Sequence, residues 1–383
     1  MSNTINSDLG LAMTGGGARA AYQVGVLRYI CKKYPEFQPP IITGVSAGAV
    51  NAAHLAAYQG DFPDAVEKLA LLWQELSMDR VFRNDSGYFI KNFLRWMSTL
   101  VLGGSRIDSG TRSLLDSDPL RQYLSQKLHS APNEPIKGVQ ENIDQGKLKV
   151  LGITSTNYGT GKAITWLQGH AENHWVRPRR RSESAEISIE HVMASAALPL
   201  LFPSIKLDDG WHGDGGIRCI APLSPAMHLG AKRILAISTR YRGGQVVPDE
   251  TVINEYAPMA QIIGILLDSI FLDLLDYDAA NMNRINDLYN DISEKQREAF
   301  KKVELLILRP SVDLGKLASE FEIRLPQPFR YLTRGTGTRD TKSPDSLSLL
   351  MFQKDYLNRL IEIGENDAEN NAAEISAFLE FNS

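Results

Sequence analysis

The first 60 residues contain one arrangement twice, and it restricts the fold more than any other feature. A short apolar run, "LGLAMT" (Leu9 to Thr14), leads through Gly15, Gly16 and Gly17 into a helical stretch, "ARAAYQVGVLRYICKKY". A second apolar run leads through Gly44-Val45-Ser46-Ala47-Gly48 into an Ala-rich helix that ends near Gly60. Two strand–turn–helix units in such close succession predict an α/β fold, with a mostly parallel central sheet flanked by helices in three layers.

The remaining pattern extends that sheet. "KLKVLGITSTN", "KRILAIST" and "KVELLILRP" read as further strands, and Asp64 to Leu76 as helix. A long helical region is expected over roughly 255 to 300 and a closing helix from Leu347 to Gly364. Loops are expected at 157–190, 208–216, 240–255 and 311–345, none biased enough in composition to force a boundary. The chain therefore reads as one domain over 8–370, with a core at 9–240, a C-terminal part at 241–370, and a frayed tail at 371–383.

Composition excludes several classes. A net charge of −4 gives no general affinity for nucleic acid. Cys31 and Cys219 make neither a disulfide framework nor a metal-ligand spacing, so a reducing, cytoplasmic setting is expected. "MSNTINSDLG" lacks the basic and apolar regions of a signal peptide. The most apolar long stretch, "QIIGILLDSIFLDLLDYD", carries four aspartates and cannot serve as a membrane span.

The chemistry concentrates at the turns. A G-x-S-x-G turn between strand and helix holds its serine in strained geometry, exposes the hydroxyl and aims a helix N-terminus at it. Three consecutive glycines suggest that something approaches the main chain closely: a phosphate, a dinucleotide or a developing oxyanion. Asp214 lies in "DDGWHGDGGIRCIAP", within Gly213-Asp214-Gly215-Gly216, which on its own reads as a hairpin turn. "MASAALPLLFP" (Met193 to Pro203) is a small-residue helix ending at proline.

A Ser, Asp, His order would draw on Ser46, Asp214 and His228, since His228 alone follows Asp214. Only 45 residues precede Ser46, however, room for about two strands before the elbow. His54, His129, His170, His174, His191 and His212 are scattered and form no metal site. A dinucleotide reading takes the loop as G-x-G-x-x-A with Glu36 on the ribose. It leaves Gly44–Gly48 and Asp214 unexplained. A P-loop fails, because Thr156 stands where the first glycine should and Ala163 follows Lys162.

Taken together, these residues resemble the patatin-like phospholipase family. The resemblance rests on Gly15-Gly16-Gly17-Ala18-Arg19, on Gly44-Val45-Ser46-Ala47-Gly48, on Ala194-Ser195-Ala196-Ala197-Leu198-Pro199 and on Asp214-Gly215-Gly216, in that order. It implies a Ser-Asp dyad, with Ser46 as nucleophile and Asp214 as base. It also implies an oxyanion hole from the main chain of Gly15, Gly16 and Gly17, supported by Arg19. The activity so implied is a serine acyl hydrolase of the phospholipase A or lysophospholipase type, acting on lipid or acyl esters without metal or cofactor. An acyltransferase or thioesterase on the same dyad, and a non-catalytic lipid-binding scaffold, are the alternatives.

Ala20 departs from the glycine that often ends the family loop, and a positive φ there would be strained. Two stretches bear on contact with a membrane surface. Tyr88 to Leu102 reads as a lid or interfacial helix, or else as a packing helix. Arg177, Arg179, Arg180 and Arg181 either meet anionic head groups or form a solvated loop paired with Glu183 and Glu186.

Overall fold

The structure is a computed structural model, and it describes residues 8–83, 113–171, 174–241, 274–293, 297, 302–321 and 345–380. The two apolar runs form neighbouring parallel strands, β1 (Leu9–Met13) and β2 (Ile41–Val45), with Leu11 opposite Ile42. Every residue of both strands is buried. That accounts for continuous apolar runs in place of alternation, since helices cover both faces of a parallel sheet.

The next strand, β3 (Val150–Asn157), lies parallel to β2. Farther along the chain come β4 (Lys162–Gly169), β5 (Val176–Arg177), β6 (Arg180–Ser184), β7 (Ile205–Leu207), β8 (Gly210–Asp214), β9 (Arg233–Ile237) and β10 (Glu304–Leu308). The order β10-β9-β1-β2-β3 is parallel throughout. Beyond β3 the sheet continues through antiparallel β4 into the β6–β5 hairpin, while β8 pairs the end of β3 with Ser155 opposite Asp214. The segments expected as loops at 157–190 and 208–216 thus contain β4, β5, β6 and β8. Thr165 and Gln168 interrupt the apolar residues of "KAITWLQG", and β5 and β6 are polar and arginine-rich, so this part of the sheet leaves a weak sequence pattern.

Helices α1 (Ala21–Lys33), α2 (Ala47–Ala57) and α3 (Phe62–Glu75) pack on one face with the helix Lys354–Asn370. A smaller cluster on the other face includes residues of Ser224–His228 and Leu274–Asp291. Helix α3 shows how the pattern works. Pro63 sits in its first turn, and Phe62, Ala65, Val66, Leu69, Ala70, Leu72 and Trp73 recur at helical spacing and are buried. Burying each of the large ones contributes roughly 1.5–3 kcal/mol.

Two expectations are corrected here. The closing helix is two helices, Asp345–Leu349 and Lys354–Asn370. The break between them turns Phe352 into the core, where it stacks on Trp73 with centroids 6.5 Å apart. The tail expected to fray forms the helix Ala372–Glu380, anchored by buried Ile375 and Phe378. The Phe378 carbonyl accepts a bond from Arg233 Nη1. Of the expected helix at 255–300, the described part runs Leu274–Asp291, and Tyr88 to Leu102 lies outside the described residues. Among the described residues no helix is long and apolar enough to cross a membrane.

Candidate active site

The site is built at the C-terminal ends of β1 and β2, beside the point where strand order reverses between β1 and β9. Ser46 joins β2 to α2 with φ 56° and ψ −132°, a region that costs a non-glycine residue about 1–3 kcal/mol. The flanking glycines let the sharp turn close. A Cβ on Gly44 would stand 2.5 Å from the Gly48 carbonyl oxygen, and one on Gly48 would stand 2.6 Å from that of Thr14. The main-chain N–H of Ser46 donates to Ser195 Oγ at 2.9 Å, and Ser195 Oγ donates to the Thr154 carbonyl at 2.6 Å. Ser195 therefore ties the elbow to β3. Sequence reading found the segment but not this role; a serine amid alanines at the C-terminal end of Ile189–Ser195 was the available signal.

Asp214 ends β8, opposite Ser155, and caps the turn Gly215–Ile217. Its Oδ2 accepts the Ser46 hydroxyl at 2.6 Å, and its Oδ1 accepts the Gly216 N–H at 2.8 Å. Thr156 Oγ1 donates to the Asp214 carbonyl, and the Asp214 N–H donates to that of Ala197. Gly215 has no room for a side chain, which would strike the Thr154 carbonyl. Burial of the carboxyl group pushes its pKa up to about 7, against the pull of the bonds from Ser46 and Gly216. A buried carboxylate next to a serine hydroxyl can take a proton near neutral pH. The hairpin-turn reading of Asp214 is overturned by that pairing.

No histidine joins this pair. His228, the triad candidate, stacks on Trp175 in the smaller core cluster, with ring centroids 4.9 Å apart. His212 is buried two residues from Asp214 and turns elsewhere. Its Nε2 bonds Asp209 Oδ1 at 2.6 Å and its Nδ1 bonds Ser155 Oγ at 2.9 Å. The Asp209 carboxylate can only accept, so Nε2 carries the proton. Burial lowers the His212 pKa and keeps the ring neutral, which leaves Nδ1 to accept the Ser155 hydroxyl, while Trp166 Nε1 donates to the same Oγ. This network braces β3 against β8.

Each glycine of the triplet meets a different neighbour. A Cβ on Gly15 would lie 2.8 Å from Ser46 Cβ, so its main chain is the part of the loop that touches the serine. Gly16, at φ 144°, packs on the side chain of Thr239, and Gly17, at φ 54°, on the carbonyl of Leu349. Only glycine takes both conformations readily. Arg19 is buried and its Nε donates to Ser348 Oγ at 2.5 Å, so it anchors the loop to the Asp345–Leu349 helix. Ala20 has φ −65° and ψ −13°, an ordinary right-handed conformation that carries no strain.

The dinucleotide reading fails on position. Glu36 precedes β2 and so lies at the opposite end of the parallel sheet from the loop that follows β1. Among the described residues no cluster of three or more His, Cys, Asp or Glu could hold a metal ion. An apolar cleft opens beside Ser46, walled by Val50, Trp73, Leu124, Leu198, Phe202 and Phe352. Of the arginine cluster, Arg181 pairs with Glu183 and Asp209, while Arg177 and Arg179 are exposed on the β5–β6 hairpin.

No curated protein matches the sequence. Solved structures with a related shape include human GIVD cytosolic phospholipase A2 in complex with methyl gamma-linolenyl fluorophosphonate, at 14% identity and a TM-score of 0.45. Others are VipD from Legionella pneumophila, at 13% and 0.36, and the ExoU–SpcU complex of Pseudomonas aeruginosa, at 15% and 0.31. Each comparison covers 98% of this chain, which spans 59%, 67% and 72% of those chains in turn. The sequence profile described as "Patatin-like phospholipase" matches residues 11–227, more than half of the chain and every element of the site except Thr239 and the Asp345–Leu349 helix with the adjoining Phe352. The chain belongs to the patatin-like phospholipase family.

Proposed function

We propose that the protein hydrolyses lipid acyl esters through a Ser46–Asp214 dyad. The observation that carries this reading is the buried 2.6 Å bond from the Ser46 hydroxyl, on a strained elbow, to the Asp214 carboxylate. In the first half-reaction Ser46 Oγ attacks the ester carbonyl carbon while Asp214 Oδ2 takes its proton. The carbonyl oxygen becomes negative and faces the main-chain N–H groups of the Gly15–Gly17 loop, with Arg19 supporting the loop. The tetrahedral intermediate collapses, Asp214 returns the proton to the departing alcohol, and an acyl-enzyme remains. Water then attacks the acyl-enzyme by the same route in reverse roles, giving the fatty acid and free Ser46.

The apolar cleft beside Ser46 supports an acyl chain as the group bound there. Exposed Arg177 and Arg179 support a peripheral meeting with anionic lipid head groups. We take residues 8–370 as one catalytic unit working in the cytoplasm, without a metal or cofactor. Transfer of the acyl group to an acceptor other than water uses the same intermediate, and acyl release measured with and without an added alcohol separates the two.

The direct test is a panel of p-nitrophenyl esters and phospholipids, with covalent labelling by a fluorophosphonate. Ser46→Ala lowers kcat by on the order of 10³-fold or more and abolishes labelling. His228→Ala keeps most activity. Equal labelling of wild type and Ser46→Ala refutes the nucleophile, and a dead but well-folded His228→Ala refutes the dyad.

A further inference from the structure

A directional chain of hydrogen bonds runs from the wall of the apolar cleft to both ends of the glycine loop. Trp73 lines the cleft, and its indole N–H donates to Asn51 Oδ1 at 2.7 Å. An indole N–H can only donate, so this bond fixes which end of the Asn51 amide is oxygen. Asn51 Nδ2 then donates to Gln23 Oε1 at 2.9 Å and to the Ala20 carbonyl at 3.2 Å. That fixes the Gln23 amide in turn, and its Nε2 donates to the carbonyls of Thr14 at 2.9 Å and Ile237 at 3.1 Å. Asn51 and Gln23 are wholly buried and Trp73 nearly so. Thr14 stands immediately before Gly15, and Ala20 immediately after Arg19.

We infer that Asn51 and Gln23 are positioning residues for the Gly15–Arg19 loop, and that Trp73 makes the order of that loop depend on the wall of the acyl cleft. This rests on the proposed function and adds to it a means by which the acyl chain affects the rate. Losing the first donor leaves the buried Asn51 Oδ1 without a partner, and the Asn51 side chain is then free to shift off the Ala20 carbonyl and Gln23, which loosens the support on each side of the loop. The loop's N–H groups act only when aimed at the developing oxyanion, so the loss falls on the chemical step and not on binding.

The cleft encloses a void of about 40 Å³, room for about one water-sized group. An entering acyl chain must therefore press its walls apart. Trp73 is backed on one side by Phe352, stacked at 15°, and its N–H is committed to Asn51. A chain long enough to reach the indole packs against it and holds the donor in place. Acyl length then raises kcat as well as lowering KM.

The test uses the full chain with the two-carbon p-nitrophenyl acetate and the eight-carbon p-nitrophenyl octanoate. Rates are expressed per site titrated by the fluorophosphonate, so that loss of folded protein does not count. Trp73→Phe keeps a ring against Phe352 and removes the N–H together with part of the cleft wall; the lost wall acts on KM for octanoate, so kcat on acetate reads the N–H. The expected result is a kcat for acetate lowered by about tenfold with KM within about twofold, the scale of one buried bond lost. In the wild type, kcat itself rises from acetate to octanoate, which needs no variant to observe. A Trp73→Phe enzyme with unchanged kcat on acetate overturns the inference, as does a change confined to KM for octanoate, or a wild-type kcat indifferent to chain length. A wild type that neither labels nor turns over any ester sinks the proposed function first and this inference with it.

Discussion

Replacing Asp214 by Asn should inactivate the protein and at the same time stabilise it, by an amount that depends on pH. The Asp214 carboxyl is fully buried and its pKa is raised from 3.8 to about 7. Between those two values the folded protein holds a proton that the unfolded chain has released. Stability therefore falls as pH rises through that window, and above it the fold carries an ionised, buried carboxylate. At about 1.4 kcal/mol per pH unit, the cost at pH 8 is about 4 kcal/mol, and at pH 5 about 2 kcal/mol. Asparagine retains an oxygen for the Gly216 N–H and carries no charge. For 383 residues at about 2.1 cal/mol/K each, unfolding entropy is about 0.8 kcal/mol/K, so 4 kcal/mol raises Tm by about 5 °C. Paired melts of Asp214→Asn and wild type at pH 5 and pH 8 measure this, with the gap wider at pH 8. An aspartate that must ionise to act as base also makes wild-type kcat/KM climb with pH up to about 7 and level off above it. A variant less stable than wild type at pH 8, or a gap that ignores pH, would refute both the buried charge and its function as base.

Two further outcomes follow from the elbow and the loop. Ser46→Gly should melt higher than Ser46→Ala, because glycine relieves a backbone strain of about 1–3 kcal/mol that alanine keeps; equal melting points would show that the turn is not strained. Gly15→Ala places a methyl 2.8 Å from Ser46 Cβ, so it should lower kcat by about tenfold or more while Ser46 still labels slowly, and full activity would remove Gly15 from the site.

How much of this was readable beforehand depended on local against distant causes. The strands at "LGLAM" and "IITGV" and the turns after them were legible because buried parallel strands are apolar throughout and glycine marks forced turns. Ser46 followed from its turn alone. Asp214 did not: its own neighbourhood says hairpin, and only its join to Ser155 on β3 brings it to the serine. The strands β4 to β6 were hidden by interspersed polar and charged residues, four of them arginines on the β5–β6 hairpin. The helix Ala372–Glu380 was hidden because, among its described side chains, just Ile375 and Phe378 are buried. The reasons for three separate glycines were out of reach, since Thr239 and Leu349 come from the far half of the chain.

That last fact bears on when a growing chain can first turn over an ester. The loop at residues 15–19 takes its shape against Thr239, Ser348 and Leu349, which a ribosome adds hundreds of residues after the loop itself. A growing chain that already displays Ser46 and even Asp214 still has Gly17 and Arg19 without their supports. Catalysis by the proposed dyad is thereby withheld until the chain has been made past Leu349, and a chain cut just before Ser348 is the direct way to see it: Ser46 present, turnover absent.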